Sequence, residues 1–218
     1  NMVKFAFVIP STTNKRDEWK QAEDSYLWTI LCSSLEKYTP DIGDRRIKLF
    51  IGYDVDDRIY SLVNERMKFS AVFMHFDIEW FPQPVETKGK VTTIWNNVGR
   101  EALAQGYDYI KLMGDDIRMP SDTGWLGLFA NKLKKNNNIG WSAGWSNNDN
   151  IPTQFLVHRT HYEIFGFFYP EEIETWGVDD ALYQLYPAKY RNWMKSYPLL
   201  NVGGSPRYEI TFSEKFVK

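Results

Sequence analysis

The sequence has one cysteine, no long apolar run and almost no net charge, and each absence excludes something. Cys32 cannot form a disulfide within the chain, and its helical pattern of apolar neighbours predicts a small core side chain rather than a nucleophile. No apolar run reaches the ~18 to 20 residues that span a bilayer, and residues 2–10 are too short for a signal peptide. We therefore expect a soluble protein without a membrane span, in a reducing compartment such as the cytoplasm.

The chain also has almost no excess of positive or negative charge. Twenty-six basic and 28 acidic residues give a net charge of −2, and the one dense basic cluster is short (Lys132, Lys134, Lys135). This balance supplies no positive field for a phosphate backbone, so we expect no nucleic-acid partner. With 218 residues, 43% hydrophobic and 25% charged, residues 1–218 suit a single folded domain.

Aromatic residues are abundant instead, at 17% with nine tryptophans. They cluster in the second half of the chain among Asn, Gly and Asp. Such a mixture is typical of surfaces that contact sugars, although packing of a core explains it equally well. Trp141, Trp145 and Trp176 fit either role.

Hydrophobic periodicity alternates between strand and helix in the first half. Strands are predicted at residues 4–9, 47–53, 71–78 and 107–113, and helices at 19–38, 59–68, 91–105 and 125–135. This β-α alternation predicts an α/β fold with a mostly parallel, doubly wound sheet flanked by helices, which binds ligands at the carboxyl ends of its strands.

The second half is less regular. Strands are predicted at 140–145 and 155–158, a short helix at 178–186, and loop from Pro198 onward, while residues 162–168 fit no single pattern. No repeat or linker divides the chain. We expect a half that binds a nucleotide, about residues 1–120, and an irregular half that binds an acceptor, about 121–218.

Two carboxylates follow directly after the fourth predicted strand, in Gly114-Asp115-Asp116. Carboxylate oxygens at an exposed strand end suit Mg²⁺ or Mn²⁺, which retain waters and bridge substrate phosphates. The motif therefore predicts a metal site that neutralises a diphosphate leaving group. An acidic turn without function is the alternative.

A second acidic motif is Trp176-Gly177-Val178-Asp179-Asp180, at the start of a predicted helix. A carboxylate here could deprotonate an acceptor hydroxyl, as an inverting sugar transfer requires. The alternative is that both aspartates only complement the positive end of the helix, an effect of about 0.3–1 kcal/mol.

Together these motifs, over residues 4–186, resemble glycosyltransferases of the GT-A fold, a Rossmann-like single domain with an aspartate metal motif at a central strand end and an acidic motif downstream. The resemblance implies that Pro10, Ser11, Thr12 and Thr13 hold the nucleotide of a nucleotide-sugar donor, with uridine as the expected base. It also implies that Asp54, with Asp56 behind it, reaches the base. Lys88 and Lys90 then contact the nucleoside and phosphates.

This chain departs from the Asp-any-Asp pattern of the family, because Gly114 stands where the first acid would be. The resemblance then implies Asp116 as the direct metal ligand, with Asp115 bonding ribose, sugar or a metal-bound water or serving as a further ligand. Asp179 is the preferred general base and Asp180 the second choice.

Two further residues have open roles. His158, at a predicted strand end, is either a third metal ligand or a structural hydrogen-bonding group. Arg207, after Gly203-Gly204, either closes over the diphosphate as part of a lid or belongs to an ordinary turn.

The function implied is metal-dependent transfer of a sugar to a hydroxyl of a glycan or glycoprotein acceptor. Residues 155–159 and 165–170 also resemble GT-A enzymes that large DNA viruses use to build capsid glycans, which would place the chain in a host cytoplasm as one domain of a longer polypeptide. Two other functions stay open. A nucleotidyltransferase usually has a Gly- and Arg-rich loop after the first strand, and a carbohydrate-binding module would be mainly β.

Overall fold

The computed structural model describes residues 2–38 and 46–211, and a single large sheet organises them. Its strands are β1 (Phe5–Pro10), β2 (Ile47–Asp54), β3 (Asp77–Gln83), β4 (Tyr109–Leu112), β6 (Trp141–Trp145), β7 (Leu156–His158) and β8 (Arg191–Pro198). Two short strands, β5 (Ile117–Arg118) and β9 (Leu200–Asn201), pair with each other in antiparallel fashion.

Helices cover both faces of the sheet. They are α1 (Ser33–Tyr38), α2 (Val63–Val72), α3 (Val91–Ala104), α4 (Trp125–Lys135), α5 (Thr160–Phe165) and α6 (Val178–Leu185), with a π-helical stretch at Leu27–Cys32 before α1. Short 3-10 turns lie at Ala22–Asp24, Val85–Thr87 and Ala188–Tyr190. In the described parts of the chain, no helix is long and apolar enough to cross a membrane.

The order of the seven-stranded sheet is β3-β2-β1-β4-β7-β6-β8. Phe5 of β1 pairs with Ile47 of β2 and with Tyr109 of β4, both in parallel register. The carboxyl ends of β1, β2, β3 and β4 therefore meet at one edge. β7 alone runs the other way, since Tyr109 pairs with His158 in antiparallel register.

The buried residues form one apolar layer on each face of the sheet. Along β1, Phe7 and Ile9 pack toward the layer that contains α2 and α4, whereas Ala6 and Val8 pack toward the layer that contains α3 and α6. Strands buried on both faces are expected in a mostly parallel sheet with helices on each side. Cys32 is fully buried in the first layer, as predicted.

The predicted α/β fold is confirmed, but several boundaries were wrong. The helix predicted from residue 19 begins only after Ser25, whose extended backbone and hydroxyl, 3.3 Å from the Trp28 amide, cap it. The strand predicted at 71–78 lies at Asp77–Gln83 instead. It runs through Pro82 because β3 is an edge strand, where a missing donor is tolerated.

The strand β8 was missed altogether. It lies at the opposite edge of the sheet and is only partly buried, so its polar residues hide the strand pattern. Residues 199–211 are mostly loop, as predicted for this part of the chain, apart from β9. The division into halves near residue 120 stays a prediction, and both parts contribute strands to the same sheet.

Candidate active site

A cavity of about 980 Å³ opens at the carboxyl edge of the parallel strands. Its walls come from the loops after β1, β2 and β4, the segment before α6 and the chain after β9. This is the place where a doubly wound fold binds ligands. Most of the predicted site residues line it, namely Pro10, Ser11, Thr12, Asp54, Asp115, Asp116, Asp179, Asp180 and Arg207.

Asp115 is almost completely buried, and its carboxylate is fully engaged by protein groups. The Ser11 hydroxyl donates to Oδ2 at 2.8 Å and lies 2.9 Å from the Tyr60 hydroxyl. Arg207 donates to both carboxylate oxygens, with Nη1 2.7 Å from Oδ2. Asp115 therefore links three distant parts of the chain, and a ligand would have to displace one of these donors to reach it.

Arg207 is held on every side of its guanidinium. Besides Asp115, it donates to the Thr12 carbonyl at 2.8 Å and lies 4.9 Å from the Tyr26 ring centroid. Burial alone would lower the pKa of Arg207, but the charge and hydrogen bonds of Asp115 raise it above its ordinary value. The prediction that Arg207 belongs to the site stays a prediction, and its position beside Asp115 supports it.

Asp116 is the carboxylate of the motif that remains available to a ligand. It is partly exposed to the cavity, and its Oδ2 is 4.0 Å from Arg207 Nη2. Burial and the nearby Asp115 charge raise the pKa of Asp116 to about 6, against the lowering effect of Arg207. A cation bound there would favour the ionised form.

Two glycines lie close to the Asp116 carboxylate. A Cβ on Gly114 would lie 2.9 Å from Asp116 Oδ1, and a Cβ on Gly203 would lie 2.2 Å from Oδ2. The Val202 amide also donates to the Asp116 carbonyl at 3.1 Å. A side chain at 114 or 203 would therefore require the Asp116 carboxylate or its surroundings to shift.

We expect Gly203→Ala to destabilise the fold by about 1–3 kcal/mol, the usual cost of overpacking. The new methyl group must displace either the Asp116 carboxylate or the loop that carries Arg207. Urea unfolding measures the change. Gly127→Ala in α4 is the control, because no atom lies within 4 Å of its Cβ, and it should be neutral or stabilising. Equal stabilities for Gly203→Ala and wild type would contradict this packing.

The loop after β1 and the end of β2 form the wall predicted to hold the nucleotide. Asp54 is buried, its Oδ2 lies 3.4 Å from Asn14 Nδ2, and its Oδ1 has no hydrogen-bond partner in the described parts of the chain. Burial, assisted by Asp57 and Asp56 and opposed by Lys88, raises the pKa of Asp54 to about 6. A buried, unsatisfied acceptor in a cavity wall is suited to a ligand donor.

Three residues predicted to contact the nucleotide lie elsewhere. Thr13 is buried and donates its amide and hydroxyl to Asp57, both at 2.8 Å, so it fixes the loop instead of lining the cavity. Lys88 pairs with Asp56 at 3.0 Å and Lys90 with Glu174 at 3.5 Å. Thr13, Lys88 and Lys90 are not among the residues that line the cavity. Contact between the two lysines and a nucleotide stays a prediction.

The possible role of His158 as a metal ligand is wrong. Because β7 runs antiparallel to β4, His158 lies opposite Tyr109, at the edge of the sheet away from Asp116. Its ring packs against Tyr109 and its Nδ1 bonds the Thr160 hydroxyl. Gln154, two residues before β7 begins, does reach the Gly114-Asp115-Asp116 motif, because its Oε1 accepts a hydrogen bond from the Gly114 amide at 2.8 Å.

Asp179 and Asp180 lie in the first turn of α6, which begins after Gly177 at φ +98°. Both line the cavity. Burial, and then the charge of Asp180, raise the pKa of Asp179 to about 7. A carboxylate with such a pKa near neutrality can accept a proton from an acceptor hydroxyl.

The site also contains residues that the sequence analysis did not select. Asn14, Trp95, Gln154 and Tyr208 all line the cavity. Asn14 directly follows the predicted loop after β1 and was the one within reach of sequence reasoning. The tryptophans separate by role, since Trp141 is a core residue, Trp145 is partly buried and bonded to Asp149, and Trp176 is exposed in the cavity.

A divalent cation fits the site only with help from substrate and water. Among residues 2–38 and 46–211, no group of three or more His, Cys, Asp or Glu side chains is arranged to hold a metal. Mg²⁺ and Mn²⁺ bind through one or two carboxylates plus phosphates and waters, so a single carboxylate such as Asp116 is compatible with such a cation.

Comparisons with known proteins give matches among solved structures. No family model and no curated protein matches this sequence. S. aureus TarS 1-349 in complex with UDP superposes with a TM-score of 0.58 at 11% identity, over 91% of this chain and 60% of that one. The chain thus spans less than two thirds of that structure.

Two other matches carry different activities. The mannosyltransferase PcManGT from Pyrobaculum calidifontis, in complex with GDP-Man and Mn²⁺, gives a TM-score of 0.59 at 11% identity, over 90% of this chain and 56% of that one. A cytidylyltransferase from Leptospira borgpetersenii gives a TM-score of 0.55 at 9% identity, over 89% of this chain and 76% of that one. At such identities the likeness establishes the fold, which is the α/β fold of nucleotide-sugar transferases.

Proposed function

We propose that this protein is a metal-dependent glycosyltransferase that moves a sugar from a nucleoside-diphosphate sugar to an acceptor hydroxyl, with inversion. The observation that carries the proposal is that one cavity is lined by three aspartates suited to different roles. Asp54 and Asp116 offer free carboxylate oxygens to a donor, and Asp179, with a pKa raised to about 7, offers a base to an acceptor.

The donor would bind at the carboxyl ends of β1, β2 and β4. We assign the base-binding role to Asp54 and the nucleotide-contacting roles to Pro10, Ser11 and Thr12. Asp116 would hold Mn²⁺ or Mg²⁺, which neutralises the diphosphate leaving group when bound. Neighbours solved with UDP and with GDP-Man and Mn²⁺ support this assignment.

The acceptor would be activated from α6. Asp179 takes the proton of the acceptor hydroxyl while the hydroxyl oxygen attacks the anomeric carbon. The bond from that carbon to the diphosphate breaks, and its electron pair leaves with the diphosphate. Because one face of the sugar is attacked while the other loses its substituent, the configuration inverts.

Calorimetric titration of UDP and GDP, with and without Mn²⁺, tests the donor site. We expect one diphosphate to bind in a Mn²⁺-dependent manner and to lose at least about tenfold in affinity in Asp116→Asn, because a neutral amide is a poorer cation ligand. Asp77→Asn is the matched control. Asp77 is exposed at the amino-terminal end of β3, away from the cavity, and should bind like wild type.

Failure of both diphosphates to bind would overturn the proposal. Binding that Asp116→Asn leaves unchanged would remove Asp116 as the metal ligand. Only in the first case would the cavity need another ligand class.

A nucleotidyltransferase is the second candidate, favoured by the match to a cytidylyltransferase. That reaction joins a sugar phosphate to a nucleoside triphosphate and releases pyrophosphate. Pyrophosphate release from sugar 1-phosphates and CTP or UTP, without glycoside formation, would select it. The carbohydrate-binding module loses its basis, because it required a mainly β structure and the described residues contain six α-helices beside this sheet.

Narrower features of the function stay predictions. A uridine donor, a glycan or glycoprotein acceptor, protein glycosylation and a source in a large DNA virus all belong to this proposal. The TarS complex with UDP supports the uridine base, whereas no match bears on a viral source or a host-cell compartment.

A further inference from the structure

The cavity wall contributed by the second half of the chain consists largely of neutral polar groups. Five amide side chains line the cavity from this half (Asn147, Asn148, Gln154, Gln184, Asn201). In four of them the carbonyl oxygen already accepts a backbone N–H group, which leaves the NH₂ group to donate to the oxygen of a sugar hydroxyl (Asn147, Asn148, Gln154, Asn201). Such a wall is therefore complementary to an uncharged polyol.

The same wall lacks an available positive charge. Arg207 is the one Lys or Arg among the described lining residues, and its guanidinium is committed to Asp115 and the Thr12 carbonyl. Asp179 and Asp180 add negative charge instead. A carboxylate, sulfate or phosphate on the acceptor would face these aspartates without a compensating cation, which is unfavourable.

An aromatic platform lies on the segment that carries the proposed base. Trp176 is 47% exposed and lines the cavity, although large apolar side chains are usually buried. A hydrogen bond with the Tyr208 side chain holds it. Trp176 is three residues before Asp179, with Gly177 at φ +98° making the turn between them.

We propose that the acceptor is an uncharged carbohydrate. Its apolar face stacks on Trp176, and its hydroxyl groups form hydrogen bonds with the amide side chains of the wall. Asp179 and Asp180 repel acidic sugars of the same shape. This inference rests on the proposed transferase function and specifies the acceptor class within it. Aromatic rings bind sugar faces through their apolar surface and polar edge, and the amides then orient the hydroxyls.

Saturation-transfer NMR with matched sugar probes tests the inference. The probes are methyl β-glycosides of glucose, galactose and mannose, each beside the methyl uronide of the same sugar, all with UDP and Mn²⁺ present. We expect at least one neutral glycoside to bind and its uronide to bind at least about tenfold more weakly, as like charge opposes it. Trp176→Ala should weaken the neutral probe by up to about tenfold, and Trp176→Phe should keep most binding.

The outcomes separate this inference from the transferase proposal. The affinity for UDP is measured in the same samples, and for GDP in parallel samples. Only the failure of both diphosphates to bind would count against the transferase itself. If UDP binds, any of three results would overturn the inference. A uronide could bind as tightly as its neutral glycoside or more tightly, Trp176→Ala could bind the neutral probe as well as wild type does, or no neutral glycoside could bind.

Discussion

Asp179→Asn is expected to lower kcat by about 10²- to 10⁴-fold, the usual contribution of a general base, while UDP affinity stays unchanged. An amide has the shape of the carboxylate but cannot accept the proton of the acceptor hydroxyl. Release of UDP from a UDP-sugar in the presence of an acceptor measures kcat. UDP binding by calorimetry measures the donor site independently.

The pH dependence has a definite sign. Asp179 works as a base only when ionised, and its pKa is about 7, so kcat should rise with pH through about 7 and level off above it. Saturating donor is required, because Asp54 titrates near pH 6 and could affect donor binding. In Asp179→Asn this rise should disappear.

Stability distinguishes a base from a structural residue. Burial raises the pKa of Asp179 above its value in the unfolded chain, so ionisation opposes folding and stability falls as pH rises through about 7. Asp179→Asn should therefore be at least as stable as wild type above pH 7 while it loses activity. A loss of both would indicate a structural role.

Asp180→Asn is the matched control for the choice between the two aspartates. Asp180 is exposed at the cavity, and we expect its variant to keep most of kcat. Its pH profile should keep the same shape but move to lower pH, because the Asp180 charge no longer raises the pKa of Asp179. A large loss in Asp180→Asn with little change in Asp179→Asn would reverse the assignment of the base.

Arg207→Ala is expected to destabilise the unliganded protein by about 3–5 kcal/mol, since removing one partner leaves a buried charge uncompensated. The side chains of Arg207 and Asp115 are 10% and 3% exposed, so solvent cannot replace the guanidinium. Urea denaturation of wild type and variant measures the difference.

A double-mutant cycle shows that the loss comes from the charge left on Asp115. Asp115→Asn combined with Arg207→Met should be less destabilised than the sum of the two single variants, because no unpaired charge remains. The control is Arg159→Ala, whose pair with Glu163 is exposed and should contribute at most about 1 kcal/mol. Additive losses in the cycle would contradict coupling between Asp115 and Arg207.

Much of the site could be predicted because it lies at strand ends. The apolar run of β4 stops at Gly114-Asp115-Asp116, and the run of β1 stops at the Pro10-Ser11-Thr12 loop. In a parallel sheet these ends share one edge, so local periodicity alone brings the motifs together. Asp54, at the end of β2, follows the same rule.

The positions of other residues could not be predicted, because local sequence does not contain strand direction or ion pairing. His158 ends a strand as predicted, but that strand runs antiparallel to β4. His158 therefore lies beside Tyr109, at the amino-terminal end of β4. Lys88 and Lys90 precede α3 as expected, and they form partly exposed ion pairs with Asp56 and Glu174. The edge strand β8 was missed because partial burial weakens the apolar pattern.

The sequence by itself determined the α/β alternation, the edge at which ligands bind and the acidic residues that face it. These follow from local periodicity and from the fixed polarity of parallel strands. Only the tertiary structure decided which carboxylate is free. Asp115 is bound by Arg207, 92 residues away, whereas Asp116 lies between Gly114 and Gly203 and faces the cavity. Such pairings depend on chain segments that meet only after folding, so no local pattern encodes them.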